Sequence, residues 1–131
     1  MKKIGILNQS ISTIIAGLGH MDTIVVSDAG LPIPTETQRI DLVLKEGTPS
    51  FLETVGVILE EMQVERALVA EEMLEVSPKI HKELKKLVGD VPIGTIQHTE
   101  FKILTREARA VIRTGEFTPY ANVILVAGVI F

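Results

Sequence analysis

The chain contains no cysteine. That excludes disulfide staples, thiolate nucleophiles and cysteine-ligated zinc or iron–sulfur centres, and it fits a reducing compartment. Tryptophan is absent and aromatic residues make up 4% of the chain, so the stacking platforms used by single-strand nucleic-acid binders are missing. Nor is there a basic excess: 13 Lys and Arg stand against 17 Asp and Glu, a formal net charge of -4. Phosphate backbones and anionic lipid demand the opposite sign, and nucleic acid is not an expected partner. The longest apolar run, Val123 to Phe131, is broken by Gly128 and is about half the length of a bilayer-spanning helix, so no membrane insertion is expected. Lys2 and Lys3 resemble the start of an export signal, but Asn8, Gln9 and Ser10 interrupt the apolar stretch that should follow.

What the sequence does have is apolar mass. Hydrophobic residues are 46% and charged residues 23% of 131 positions, and the mean hydropathy is +0.33. This excludes a disordered tail and fits a single domain spanning 1–131. A folded monomer of this mass exposes roughly 6,800 Å². With so few charges to cover that surface, burial against further copies of the chain is expected.

Periodicity gives an alternating series of elements. Ile11, Ile14, Ile15 and Leu18 predict a helix within 8–18, starting at Ser10 and stopping at Gly19. Thr23–Ser27 (TIVVS) reads as a strand that empties into the Pro- and Gly-rich loop Asp28–Pro34. Arg39–Leu44 is a second strand, and Ser50 with Glu53 forms a capping box for a helix through Met62. Arg66–Ala70 is a third strand, Ser77–Val88 a helix with Pro78 in its first turn, and Pro92–Gln97 a fourth strand. A short helix follows over Thr99–Arg106, capped by Thr99, then strands at Ala110–Arg113 and Asn122–Phe131 around a loop. The pattern predicts an α/β fold: a single layered domain with a central, largely parallel sheet flanked by helices.

In such sheets ligands gather beyond the carboxyl ends of strands. His20 follows a helix C-terminus, whose partial negative charge favours imidazolium; it reads either as a general acid or as a capping cation. Asp28 follows a strand directly and either accepts hydrogen bonds from sugar hydroxyls or shapes an Asx-turn. Tyr120 and Asn122, two residues apart, point the same way in extended chain, offering a hydroxyl and an amide to one ligand or closing a structural turn. His98 sits between a strand and a helix start, as a ligand contact or a surface histidine, and His81 belongs to a charged, solvated helix. No HxxH, HExxH or DxDxDG spacing suggests a metal, and no Walker A or GxGxxG motif suggests a nucleotide. A neutral polyhydroxyl ligand fits what remains.

At these residues the chain resembles the bacterial D-ribose pyranase family, with a related branch of fucose mutarotases behind it. The resemblance rests on KIGILN (3–8), LGHMD (18–22), DAGLPIP (28–34), RID (39–41), GTPSF (47–51), VIRTGE (111–116) and PYAN (119–122). The fucose branch is similar at GHxD and YxN, but DAGLP and the alanine of YAN favour the ribose branch. Between about Glu72 and Gln97 no family motif is matched. The resemblance implies interconversion of the pyranose and furanose forms of D-ribose in the cytoplasm, without cofactor or metal. It implies His20 as proton donor, and Asp28, His98, Tyr120, Ala121 and Asn122 as substrate-binding positions. It also implies a ring-shaped homo-oligomer, commonly a decamer. The chemistry agrees, because opening a cyclic hemiacetal needs one proton delivered to the ring oxygen and one removed from the anomeric hydroxyl.

Two rival functions remain: a non-catalytic sugar-binding sensor associated with uptake, and an aldose–ketose isomerase, for which neither a base beside C2 nor an enediolate stabiliser is evident. The site is expected to be shared between two chains, with His20 and Asp28 from N-terminal loops on one and Tyr120 and Asn122 on the other.

Overall fold

The computed structural model describes all 131 residues. Six strands form one sheet in the order β2-β5-β1-β6-β3-β4, where β1 is Thr23–Ser27, β2 Arg39–Asp41, β3 Val64–Ala70, β4 Ile93–Ile96, β5 Ala110–Arg113 and β6 Val123–Ala127. The pairs β1–β5, β2–β5 and β3–β4 are parallel. β6 lies between β1 and β3 and is antiparallel to both. The sheet is therefore parallel apart from one reversed strand at its centre.

Helices α1 (Gln9–Gly17), α2 (Phe51–Leu59), α3 (Glu71–Val76), α4 (Pro78–Val88) and α5 (His98–Leu104) flank the sheet. Alternation along the strands divides the core. Ile24 and Val26 of β1, Ile112 of β5 and Leu125 of β6 join Phe51, Val55, Met73 and Leu84 in a cluster of 21 buried residues. Val25, Val111 and Ile124, on the opposite face, meet Leu31 and Phe101 of α5 in a cluster of 6. Full burial of each aliphatic side chain contributes about 1.5–3 kcal/mol, so the first face anchors the domain.

Several boundaries differ from those read in the sequence. α1 is capped by Asn8, whose side chain accepts the Ile11 N–H at 3.0 Å, rather than by Ser10, and the helix ends at Gly17, before Gly19. β2 stops at Asp41 rather than Leu44, because the Asp41 carboxylate accepts the Val43 N–H and turns the chain. Only half of the expected capping box at α2 forms: Ser50 Oγ accepts the Glu53 N–H, but the Glu53 side chain makes no return bond to the Ser50 N–H, and the neighbouring Phe51 N–H donates to Glu116 from a distant loop. β3 begins two residues before the expected Arg66, and α3 has no counterpart in the sequence pattern. α5 begins at His98, with Gln97 in the cap position in place of Thr99. β6 ends at Ala127, where its partner β1 gives way to the Asp22 turn, and Val129, Ile130 and Phe131 are exposed.

Candidate functional site

The reversed strand explains where the polar residues gather. Since β6 runs against β1, its first residues lie at the carboxyl edge of the parallel strands, beside the end of β1; Val26 pairs with Val123. The next step along each chain brings Asp28 to Asn122. Asn122 is fully buried, and its amide makes a two-bond pair: Oδ1 accepts the Asp28 N–H at 2.9 Å and Nδ2 donates to Asp28 Oδ2 at 2.9 Å. Asp28 Oδ1 also accepts the N–H groups of Gly30 (2.9 Å) and Leu31 (2.8 Å). The carboxylate thus both shapes the loop and is held by it. Three of its roughly four lone-pair sites are used, which leaves room for one ligand hydroxyl.

Tyr120 is not in extended chain as expected. Its φ is 61°, in the left-handed region, and it directs its ring edge-on to His98, 5.0 Å between centroids at 86°. The His98 ring also lies near that of Phe101, 6.2 Å between centroids at 20°. Its Nδ1 is buried with no hydrogen-bond partner. Burial, and then Lys102, push its pKa below the ordinary value of 6.5, against the opposing charges of Glu72 and Asp28. A neutral imidazole results near pH 7. An orphaned lone pair is tolerated better than an orphaned N–H, so the proton belongs on Nε2.

The segment without a matched motif supports these groups. The Glu72 carboxylate of α3 accepts the His98 N–H at 3.0 and 3.2 Å, fixing the start of α5. Ser77 Oγ donates to the Pro119 carbonyl at 2.6 Å, tying down the loop before Tyr120. Neither residue has a sequence signal, because each acts across 26 or 42 positions.

Asp28, His98 and Tyr120 line a cleft of about 630 Å³, together with Lys45, Arg113 and Glu116, a volume usual for a small-molecule site. Arg113 is spoken for: Nε donates to the Ala29 carbonyl and the guanidinium meets both oxygens of Asp41. Glu116 accepts the Phe51 and Thr118 N–H groups and the Thr118 hydroxyl. These two stiffen the walls, and they were missed as site residues because only the fold brings β2, α2 and the 115–121 loop together. Ala121 is buried in the main core, so it can meet a ligand only through its backbone.

His20 stands elsewhere. It precedes β1, whereas Asp28 follows it, and the five residues of β1 put about 15–20 Å between the two. At that far edge His20 Nε2 lies 2.9 Å from Glu65 Oε2, with the two side chains 54% and 38% exposed. His81 is on α4, where burial and Lys85 push its pKa down, and it does not line the cleft. The division of residues is therefore not the expected one: Asp28 sides with Tyr120 and Asn122, and His20 is alone. No helix is long and apolar enough to cross a membrane.

Comparison with known proteins adds what the geometry cannot. A D-ribose pyranase of Chloroflexus aggregans is 57% identical over 131 residues, covering 100% of both chains, and one of Laribacter hongkongensis is 56% identical with the same coverage. A solved structure described as Bacillus subtilis RbsD complexed with D-ribose has a TM-score of 0.97 and 52% identity, covering 100% of each chain. The family model described as the RbsD / FucU transport protein family matches residues 1–130. By fold, by motif and by full-length similarity, the chain belongs to the RbsD / FucU family.

Proposed function

We propose that this protein interconverts the pyranose and furanose forms of D-ribose by acid–base-assisted ring opening. The observation that carries the reading is the full-length likeness, at 52% identity and a TM-score of 0.97, to a protein complexed with D-ribose. The cleft agrees with it chemically. Asp28 keeps one acceptor site free, His98 offers Nε2–H, and Tyr120 offers its hydroxyl, a set suited to a neutral sugar. Ala121 contributes backbone, and Asn122 acts by holding Asp28 in place, since both ends of its amide are committed.

His20 is the proton donor in this reading. It gives its proton to the ring oxygen as the bond from that oxygen to the anomeric carbon breaks, and the anomeric hydroxyl releases its own to water as the carbonyl forms. Reclosure through a different hydroxyl yields the other ring size. One positioned acid accelerates such a step by about 10²- to 10⁴-fold. Because His20 lies apart from the cleft within one chain, the acid in this reading arrives from a second copy of the chain. Exposed Ile4, Leu7, Ile130 and Phe131 supply apolar surface for such contacts, and the isolated chain exposes 7419 Å², more than the roughly 6,800 Å² of a compact monomer of this mass. A cytoplasmic, ring-shaped homo-oligomer, a decamer in the family's manner, satisfies this requirement with one site per chain.

Saturation-transfer NMR of D-ribose with catalytic amounts of protein is the test. Accelerated exchange between pyranose and furanose signals supports the proposal. Ribulose appearing would make the protein an aldose–ketose isomerase, and binding without exchange would make it a sugar sensor.

A further inference from the structure

The pairing of β3 with β6 carries one extra residue. Val64 faces Ala127 and Arg66 faces the very next residue, Val126, so Glu65 is left over between them. Bulges of this kind re-aim a side chain and are common beside active sites. Here the bulged side chain is the one that meets His20, Oε2 to Nε2 at 2.9 Å.

The two partners are built on a common base. The Gly128 N–H donates to the Gln63 carbonyl at 2.9 Å, and a Cβ on Gly128 would stand 3.0 Å from that of Glu65, so glycine lets the backbones approach. On the other side, Met21 adopts φ 70° and donates its N–H to the Ala127 carbonyl, while the Ala127 N–H donates to the Asp22 carbonyl. Asp22 closes the turn around His20: Oδ2 accepts the Gly19 N–H at 2.8 Å and Oδ1 meets Arg109 at 3.1 Å. The end of β6 therefore fixes the histidine turn and the glutamate bulge against each other. A pair this exposed contributes little to stability, so stability does not account for the arrangement.

We propose that Glu65 is a positioning residue for His20: it accepts a hydrogen bond from Nε2–H and leaves Nδ1 as the nitrogen that faces the sugar and moves the proton. This rests on the reading of His20 as the acid. A carboxylate on the far nitrogen fixes both tautomer and ring orientation, as in other histidine sites.

The test uses the assembled protein with ¹⁵N-labelled histidine, and Glu65→Gln and Glu65→Leu. In the wild type, the neutral His20 ring is expected to show a protonated Nε2 and an unprotonated Nδ1. Gln retains an acceptor oxygen and should keep that pattern. Leu should move both shifts toward the averaged values of a free imidazole. Ring interconversion is expected to lose about tenfold to hundredfold in kcat in Glu65→Leu, with KM for ribose unchanged and partial recovery in Glu65→Gln. A neutral wild-type His20 ring with its proton on Nδ1 and none on Nε2 overturns the proposal without any variant. So does Glu65→Leu with wild-type shifts and kcat, or a Gln variant no better than Leu. His20→Ala is measured alongside: full activity there would remove His20 as the acid, while the ¹⁵N shifts would still report whether Glu65 fixes the ring.

Discussion

The Asp28–Asn122 pair can be inverted, and the hydrogen-bond inventory dictates the outcome. Asp28 accepts three internal hydrogen bonds, from the Gly30 and Leu31 N–H groups and from Asn122 Nδ2, while Asn122 Oδ1 accepts the Asp28 N–H. In Asp28→Asn, the new oxygen must face Gly30 and Leu31, which turns the new NH₂ toward the NH₂ of Asn122. Flipping Asn122 relieves that clash only by setting its NH₂ against the residue 28 N–H. One charge-assisted bond is lost and two donors face each other whichever way the amides turn, a cost of about 2–3 kcal/mol. Asn122→Asp alone fails differently, since it faces one carboxylate with another at a fully buried position, at a similar or larger cost.

Combining Asp28→Asn with Asn122→Asp satisfies every group. The new amide at position 28 accepts the Gly30 and Leu31 N–H groups through its oxygen and donates through its NH₂ to the new carboxylate at position 122. That carboxylate also accepts the backbone N–H of position 28. Urea unfolding at one fixed protein concentration should give a coupling energy of about 2 kcal/mol or more between the two sites, with the double variant more stable than either single. Ribose binding is not restored, because the charge now sits where a ligand cannot reach it. Additive losses, with the double variant the least stable of all, would refute this account of the pair.

Other consequences follow from particular contacts. Gly115→Ala would set a Cβ 2.6 Å from the Lys45 carbonyl oxygen and from both N and O of Thr48; backbone cannot yield as a side chain can, and a loss of about 3 kcal/mol in urea unfolding is expected. Ser77→Ala removes the bond to the Pro119 carbonyl, costing about 1 kcal/mol and raising KM for ribose more than it lowers kcat, as steady-state exchange kinetics would show. His98 is neutral when folded, with its pKa held below 6.5 by burial and then by Lys102. Its contribution is therefore complete above pH 6.5, and it is lost as the pH falls through the folded pKa, because the unfolded chain takes up the proton first. Burial shifts His81 the same way, so the urea midpoint is compared from pH 7.5 to 5 in a His81→Gln background, where adding His98→Gln should flatten the remaining slope.

Local signals gave the alternation of helices and strands, because TIVVS (23–27) and the apolar run after Arg66 (ALVA, 67–70) are short β-branched or apolar stretches and the helices repeat at helical spacing. Long-range geometry was beyond them. An apolar run such as Val123–Ala127 carries no mark of its direction, yet the reversal of β6 decides that Asn122 meets Asp28 and that His20 lies at the other edge. α3 is six residues without a side-chain cap, too short to announce itself. Glu65 was invisible for a related reason: a bulge exists only once register with β6 is fixed. Asp28 could be read either as a ligand group or as a turn former, and the loop shows that the turn is real and leaves one acceptor site over.

If, as proposed, the acid of one chain completes the cleft of another, a mixed assembly shows it most directly. His20→Ala and Tyr120→Ala, each expected to be inactive alone, are unfolded together in equal amounts and reassembled at random. A shared site is intact when its acid comes from the Tyr120→Ala chain and its cleft from the His20→Ala chain, about a quarter of sites. Exchange between ribose pyranose and furanose is predicted to return to about a quarter of the wild-type rate per site. A verified mixed assembly with no more exchange than its parents would contradict the shared site.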